Sequence, residues 1–263
     1  MPRQAVFKDR IKKILKLFIL PVIILIAIGL PALAKNWKTL APGVEYKDIN
    51  KNTLSPWSHI HVFRINLEKN ELDLVMAKKL AKKYASAKDF SEHSKALITL
   101  NGGFFDQDHQ PLGLRLSHHN QHNPIKNISW WGIFYIKNQQ PSISNVTRFK
   151  ADKSIDFALQ SGPRLLIKGK IPSLKTGVAE RSALGIDKEG NVIILVTEHF
   201  PMTTTALAEL MHNQLHCEDA LNLDGGSSSQ LYAKIDSFHL HVPGFSEVSD
   251  AIIVKPKSQE STQ

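Results

Sequence analysis

The stretch SALGIDKEGNVIILVT, residues 182–197, decides the fold class of this chain. Two apolar runs, 182–187 and 192–197, flank a four-residue turn, Lys-Glu-Gly-Asn, at 188–191. Runs of this length rich in Ile, Leu and Val predict strands, and a short Gly-containing connection predicts that they pair as a hairpin. Parallel strands would need a crossover of about a dozen residues or more. The stretch therefore favours an antiparallel sheet.

Apolar runs of similar length recur on both sides of this hairpin. HIHVFRINL (59–67) and ELDLVM (71–76) flank a short Glu-Lys-Asn turn and predict a second hairpin. Further strands are expected at 97–101, 111–117, 130–136, 155–161, 164–169, 219–223 and 251–254, and helices at 89–96 and 204–216. Because strands mostly follow each other directly, the predicted class is α+β, a single domain with a mixed, largely antiparallel sheet and a few packed helices.

The first 34 residues are typical of an export segment. They carry six basic residues and one acidic residue, which is +5 of the formal net charge of +9. The remaining +4 is too mild to indicate a nucleic-acid partner. The apolar run 17–34 ends in Ala32-Leu33-Ala34 and is longer than the core of an ordinary signal peptide.

Two fates of residues 1–34 follow, a signal peptide cleaved after Ala34 or a membrane anchor. In either case the positive-inside rule sends residues 35–263 across the membrane. The expected location is periplasmic or secreted, with anchoring in the inner membrane through residues 17–34 if the segment is retained. The rest divides into an irregular lead-in (35–58), one domain (59–255) and a polar tail (256–263).

Several classes of protein and site are excluded or disfavoured. Cys217 is the single cysteine, so a disulfide-built domain is excluded. The sequence has no G-x-S-x-G elbow, no phosphate-binding P-loop and no dinucleotide-binding glycine pattern. The histidines at 118, 119 and 122 lie in a polar stretch without cysteine, which is more typical of a solvated loop than of zinc ligands. No metal or other cofactor is therefore predicted.

Three segments share one pattern, an apolar strand followed by a Gly-containing turn with polar side chains. They are LITLNGGFFD (97–106), ALQSGPRLL (158–166) and ALNLDGGSSSQL (220–231). Backbone amides in such turns can form an anion-binding concavity, and a carboxylate beside one can act as acid, base or nucleophile. One such turn is typical of a structural hairpin. Three of them at strand ends, two with an aspartate, favour a shared site.

Four motifs occur in order along the chain: NGGFFD (101–106), SGPRLL (161–166), RSALGID (181–187) and LNLDGGSSSQL (221–231). Together they resemble the phosphodiester glycosidase family over roughly residues 60–255. The resemblance implies an exported hydrolase that cleaves a glycosyl-phosphodiester bond in envelope or extracellular glycans without an obligatory metal. Exported bacterial relatives are described as exopolysaccharide-related. The implied partner is a glycan or sugar phosphate, not a nucleic acid.

The sequence departs from the family pattern at three places. Ser227 stands where the family usually has a third glycine, and Ala179-Glu180 precede Arg181 where His-Pro is common. Glu198-His199 follow the strand 192–197 where an Asp-Gly pair is usual. These departures keep open an alternative function, a glycan- or phosphoglycan-binding protein of the envelope without turnover. A phosphodiesterase that breaks the P–O bond is a third hypothesis.

The implied reaction assigns roles to particular residues. Cleavage builds oxocarbenium character at the sugar and negative charge on the departing phosphate, so it needs a carboxylate on one side and cations or amides on the other. The expected set comprises Asp106, Asp224 and Glu198 as nucleophile or general base; Arg164, Arg181, Gly102, Gly103, Gly225, Gly226, Ser227 and Ser228 at the phosphate; and Asn101 and Asn222 at sugar hydroxyls or orienting the carboxylates.

Overall fold

The structure, a computed structural model, describes residues 37–49 and 55–257. From Lys38 onward these residues form one compact unit. The predicted export segment, 1–34, and positions 258–263 of the polar tail lie outside the described residues. Within the described ranges, no helix combines the length and the apolar character needed to span a bilayer.

Strand is the most abundant secondary structure in the described chain. The strands are β1 (Lys38–Ala41), β2 (Val44–Asp48), β3 (His59–Ile65), β4 (Asn70–Met76), β5 (Ile98–Asn101), β6 (Arg115–Ser117), β7 (Asn120–Asn123), β8 (Gly132–Lys137), β9 (Gln140–Asn145), β10 (Ile155–Ser161), β11 (Arg164–Leu166), β12 (Val178–Ala179), β13 (Ser182–Asp187), β14 (Val192–Glu198), β15 (Met202–Thr203), β16 (Cys217–Asn222), β17 (Leu231–Ile235), β18 (Phe238–Val242) and β19 (Asp250–Pro256). The helices are α1 (Ala87–Ser94) and α2 (Thr204–Asn213), with 3₁₀ turns at Ala77–Leu80 and Gly226–Ser228.

The strands form three large sheets and one small one. A seven-stranded sheet has the order β1-β2-β3-β14-β13-β16-β11, and two five-stranded sheets have the orders β7-β6-β10-β8-β9 and β18-β17-β5-β19-β4; β12 and β15 form a two-stranded sheet. Every strand pair in the described ranges is antiparallel. The expected single domain with largely antiparallel strand pairing is confirmed, whereas no parallel pair occurs in the described ranges and the protein is richer in sheet than the α+β class implies.

One apolar core lies among the three large sheets. Phe63 and Ile194 from the seven-stranded sheet pack in the same cluster as Phe134 and Leu100 from the two five-stranded sheets. This shared core explains why many strands are apolar on the face that the alternation predicts.

The two helices cover outer faces of the sheets. Helix α1 begins with a capping box in which the Ser86 hydroxyl accepts the Asp89 N–H and the Asp89 carboxylate accepts the Ser86 N–H. Its buried Phe90 packs with Ile253 of β19. Helix α2 lies so close to β13 that a Cβ on Gly185 would be 2.7 Å from Met211 Cε. Both helices were expected from the sequence, within a few residues of these bounds.

The predicted hairpin at 182–197 is confirmed, and the hairpin predicted at 59–76 is wrong. β13 pairs with β14 from Ser182 opposite Val196 to Ile186 opposite Val192. By contrast, β3 pairs with β2 and β14, while β4 pairs with β19 in another sheet. The turn at 66–70 carries the chain between sheets. Because both strands face the common core, the alternation of apolar residues alone does not distinguish a hairpin from a connection between two sheets.

In the segment 35–58, the described residues 37–49 differ from the expected irregular lead-in. Its strands β1 and β2 form a hairpin that extends the edge of the seven-stranded sheet, with Tyr46 opposite Phe63. The Tyr46 ring packs against Phe63 and Phe238, with centroid distances of 5.1 and 4.9 Å. This packing makes the hairpin a part of the domain.

A fully buried ion pair joins two of the sheets. Arg115 Nε of β6 lies 3.0 Å from Asp250 Oδ1 of β19, and both side chains have no exposed surface. The other guanidinium N–H groups donate to main-chain carbonyls, including those of Phe104 and Gln160 at 3.1 Å each. A buried charge is tolerated only when it is paired and hydrogen-bonded in this way.

We expect Asp250→Asn to destabilise the protein by about 3–5 kcal/mol, because it leaves the Arg115 charge buried without its carboxylate. The free energy of unfolding in urea measures this loss. The matched control is Asp152→Asn, which removes a carboxylate 2.7 Å from Lys137 Nζ in an exposed pair. An equal change in the two variants would show that the buried pair is not a structural requirement.

Candidate functional site

A cavity of about 490 Å³ lies beside the C-terminal end of β16. All four sequence motifs contribute to its wall. Their lining residues are Phe104, Gly162, Pro163, Arg181, Asn222, Asp224, Gly225 and Gly226. The opposite wall comes from positions 173–175 and 177, Ala179, Trp130 and Thr204. The structure thus brings four segments that are distant in the chain to one concave surface.

Asp224 is the carboxylate of this cavity. Its Oδ1 accepts the Gly225 N–H at 3.0 Å, and the Ser228 hydroxyl donates to the same carboxylate. Burial raises the pKa of Asp224 to about 6, helped by the charge of Asp250, while the bonds from Ser228 and Gly225 act in the opposite direction. A carboxyl that titrates near neutral pH can exchange a proton under ordinary conditions.

Arg181 is a cation without a carboxylate partner in the described part of the chain. Its side chain is mostly buried (8% exposed), and burial lowers the pKa of the guanidinium. Nε donates to the carbonyl of Met202 at 2.9 Å, and Nη2 donates to the carbonyl of Gly177. No hydrogen-bond acceptor for Nη1 exists among the described residues. This nitrogen lies 3.9 Å from the position of a Cβ on Gly225, so it is placed to bind an anion in the cavity.

Asn222 adds an acceptor that lacks a partner. The residue is 4% exposed, and its Nδ2 donates to the carbonyls of Gly162 and Leu223 at 3.1 and 2.6 Å. Its buried Oδ1 has no hydrogen bond from any described residue. Leaving a buried acceptor unsatisfied costs about 1–3 kcal/mol. A hydroxyl of a bound ligand would remove this cost.

Two aromatic residues form the apolar part of the wall. Phe104 packs on Trp131 with centroids 5.0 Å apart, and Trp130 stands almost perpendicular to Trp131 at 5.8 Å. Trp130 is 54% exposed although it lines the cavity. Phe105 points elsewhere and packs against the cluster under α1. Aromatic walls with a few convergent polar groups are typical of small-molecule sites.

Three of the charged residues predicted to share the site lie outside it. Asp106 is exposed, and its Oδ1 accepts the N–H groups of Asp108 and Gln110 at 3.0 and 2.8 Å, so it organises a turn. Glu198 Oε2 lies 2.9 Å from His61 Nε2 at the end of β14. Arg164 lines a different cavity. The expectation that these side chains face Asp224 is therefore wrong.

The first three residues of the motif NGGFFD support the cavity without lining it. A Cβ on Gly102 would lie 1.8 Å from Asp250 Oδ1, and one on Gly103 would lie 2.7 Å from Arg115 Nη2. These glycines therefore allow close packing on the buried ion pair, and they do not line the cavity. The buried Asn101 donates from Nδ2 to the carbonyl of Asp224 at 2.9 Å, which holds the main chain of that residue in place.

The departures from the family pattern have separate structural consequences. Ser227 is exposed and lies outside the cavity, so its hydroxyl does not have the predicted place at the phosphate. Ala179 lines the cavity, and the Glu180 carbonyl accepts the Gly226 N–H at 2.8 Å. Gly226 has a φ of +61°, a conformation that favours glycine.

Sequence reasoning missed several lining residues. They are Phe104, Trp130, Gly162, Pro163, Ser173, Leu174, Lys175, Gly177, Ala179 and Thr204. The Trp130-Trp131 pair just before β8 was the one local sequence signal among them. The loop at 173–177 has no motif, and its approach to Asp224 depends on the tertiary fold.

The fold and the cavity define a class of antiparallel β protein with a small-molecule-sized site that places a half-buried carboxyl and a guanidinium without a carboxylate partner on one wall. The chain belongs to the phosphodiester glycosidase family, whose sequence model matches residues 94–255. The resemblance drawn from the four motifs is thereby confirmed.

A bacterial relative is similar in sequence. The YigE protein of Escherichia coli K12 is 31% identical over 167 residues, which cover 57% of this chain and 63% of that protein. The chain therefore spans just under two thirds of its length.

Solved structures show the same fold. The catalytic domain of zebrafish N-acetylglucosamine-1-phosphodiester alpha-N-acetylglucosaminidase, auto-inhibited by its pro-peptide, has a TM-score of 0.62 and 18% identity, covering 83% of this chain and 85% of that one. A hypothetical protein from Synechocystis has a TM-score of 0.60 and 18% identity, covering 85% and 64%. At this identity the likeness establishes the fold alone.

The raised pKa of Asp224 predicts a pH dependence of stability. The folded state holds this proton up to a pH of about 6, against a usual pKa of 3.8. The stabilisation is full below pH 4 and is lost as the pH rises through 6. Asp224→Asn removes this dependence and raises the free energy of unfolding at pH 7 by about 1–3 kcal/mol.

Urea unfolding between pH 4 and pH 8 measures the effect. Asp106→Asn is the matched control, because that carboxylate is exposed and an asparagine still accepts the turn hydrogen bonds. If Asp224→Asn retains the pH slope of the unchanged protein, the buried carboxyl is not its source.

Proposed function

We propose that this protein is a hydrolase that cleaves a glycosyl-phosphodiester bond. The observation that carries the proposal is the placement of the Asp224 carboxyl and the free Arg181 Nη1 on the wall of one cavity. Phe104 and Trp130 supply an apolar surface for the sugar ring, and Asn222 Oδ1 accepts a sugar hydroxyl. Membership of the phosphodiester glycosidase family supports the reaction class.

The bond that breaks joins the anomeric carbon to the phosphate oxygen. Water supplies a hydroxyl to the sugar and a proton to the products, and the phosphate leaves as a monoester. Arg181 binds the departing negative charge, where an oriented cation in a desolvated site stabilises the transition state. Asp224, once ionised, removes a proton from water or attacks the anomeric carbon itself.

The presence of one carboxylate is consistent with this leaving group. Glycosidases with alcohol leaving groups use two carboxyl groups, one of which protonates the departing oxygen. Among the described lining residues, Asp224 is the single acidic side chain. A phosphate monoester departs as a stabilised anion, so the second carboxyl group is not required.

The proposed substrate is a glycan of the envelope or the extracellular space. The zebrafish structural neighbour is named for an N-acetylglucosamine-1-phosphodiester, which supports a sugar-1-phosphate linkage. The basic residues and apolar run within 1–34 support export to the periplasm or beyond, either free or anchored through residues 17–34.

Binding without turnover is the second candidate function. The observation that favours it is the position of Asp106 and Glu198 outside the cavity, which leaves Asp224 to act without them. Hydrolysis of a sugar-1-phosphodiester in ¹⁸O-labelled water separates the hypotheses. Label in the sugar supports the glycosidase, label in the phosphate supports P–O cleavage, and binding without product supports the second candidate.

We expect Asp224→Asn to lower kcat by at least about a thousandfold, because the amide neither accepts the proton nor attacks carbon. Asp106→Asn is the matched control and should keep kcat within about twofold. Steady-state kinetics on the same phosphodiester measures both. Comparable loss in the two variants would contradict the assignment of Asp224.

The pH–rate profile gives a further prediction. kcat/KM should rise with pH through a pKa of about 6, since the ionised form of Asp224 is the active one. In Ser228→Ala, loss of the hydrogen bond to the carboxylate should move this pKa upward. A profile that does not shift in this variant would show that another group controls the rate.

A further inference from the structure

A second cavity lies next to the candidate active site and is strongly cationic. It has a volume of about 470 Å³, and Arg148, Arg164 and Lys168 line it together with Asp219. We propose that this cavity binds a second phosphate of the substrate, so that the substrate class is a glycan with successive phosphodiester links. The proposal rests on the proposed function, because it extends the same substrate beyond the bond that is cleaved.

None of the three cations is hydrogen-bonded to a carboxylate within the described ranges, although the charge of Asp219 acts on Arg164 and Lys168. Neither Arg148 nor Arg164 has a side-chain hydrogen bond or ion pair there, and the same holds for the Lys168 ammonium. Asp219 is the single acidic side chain among the lining residues, and its Oδ1 accepts the Lys168 main-chain N–H at 3.2 Å. Three cations against one carboxylate leave an excess of positive charge that a phosphate group would neutralise.

The local structure holds two of these cations in place. The aliphatic part of Arg164 packs on β8, since a Cβ on Gly132 would lie 2.6 Å from Arg164 Cγ. Arg148 follows a turn in which Asn145 Oδ1 accepts the Thr147 N–H and hydroxyl at 2.8 and 2.6 Å. The stem of Arg164, held in this way, loses little side-chain entropy when an anion binds, whereas the turn positions only the main chain of Arg148.

Residues that are close in the chain line the two cavities. Pro163 lines the active-site cavity, and Arg164, the next residue, lines the cationic one. On β16, Asn222 lines one cavity and Asp219 the other; the two residues are three apart, about 10 Å along a strand, and their side chains lie on opposite faces of it. Asn145 of the cationic cavity donates to the Ser129 carbonyl at 3.2 Å, beside Trp130 of the active site.

Strand β11 is at the edge of its sheet, so no described strand pairs with its outer side. A chain that leaves the active-site cavity can pass around Pro163 and reach Arg164. Within the motif SGPRLL, Gly162 and Pro163 thus line the first cavity and Arg164 lines the second.

The test compares two synthetic glycans that carry one or two phosphodiester links, each with a non-hydrolysable phosphonate at the anomeric position. Isothermal titration calorimetry on the full chain gives the Kd of both. We expect the two-phosphate glycan to bind about tenfold more tightly. In the double variant Arg148→Gln/Lys168→Gln, whose side chains are exposed, this gain should fall below threefold while the Kd of the one-phosphate glycan stays unchanged.

Lys83→Gln/Lys234→Gln is the control, because it removes the same charge from two exposed lysines outside the cavity. Equal Kd values for the two glycans in the unchanged protein would overturn the proposal. It would also be overturned if the control variant lost the same part of the affinity gain for the two-phosphate glycan. The binding measurement does not require turnover, so hydrolysis of the one-phosphate glycan tests the proposed function separately. Absence of binding by both glycans would overturn the substrate class and this inference together.

Discussion

The buried ion pair between Arg115 and Asp250 is the interaction on which the rest of the structure depends. It joins β6 of one sheet to β19 of another, and Gly102 and Gly103 pack directly on it. Side chains at those two positions would collide with the pair. Residues 102 and 103, which follow β5, can therefore pack against the ion pair only because both are glycine. The first sequence motif is a consequence of this packing.

The packing at the same junction also raises the pKa of the carboxyl in the cavity. Asn101, next to the two glycines, donates to the Asp224 carbonyl and accepts from the Ser182 hydroxyl at 2.6 Å. These bonds fix the DGG turn at the point where the sheets meet. Asp224 lies there with restricted access to water, and the nearby Asp250 charge also disfavours its ionisation. The shifted pKa thus follows from how the sheets are joined and not from the DGG turn itself.

The elements that were predicted correctly depend on local patterns. The hairpin at 182–197, the strand ending at Asn101 and both helices have periodicity and turn residues that are visible within a few positions. The incorrect predictions concern which strands pair and which side chains lie together. β3 and β4 look like a hairpin, yet each pairs in a different sheet. Asp106 looks like Asp224, since both lie within a few residues of a Gly-Gly pair that comes after a buried strand. One is exposed and organises a turn, and the other is enclosed by segments that approach from elsewhere in the chain.

The sequence by itself determined the family, the abundance of short strands, the turn chemistry of the four motifs and the presence of unusual polar groups at strand ends. These properties depend on residue type and spacing, which a linear chain displays. Only the tertiary structure decided which polar groups meet. Burial and the distance between remote residues separate Asp224, Arg181 and Asn222, which line one cavity, from Arg164, which lines the next. A local sequence pattern does not determine those distances, because they depend on how three sheets pack around a common core.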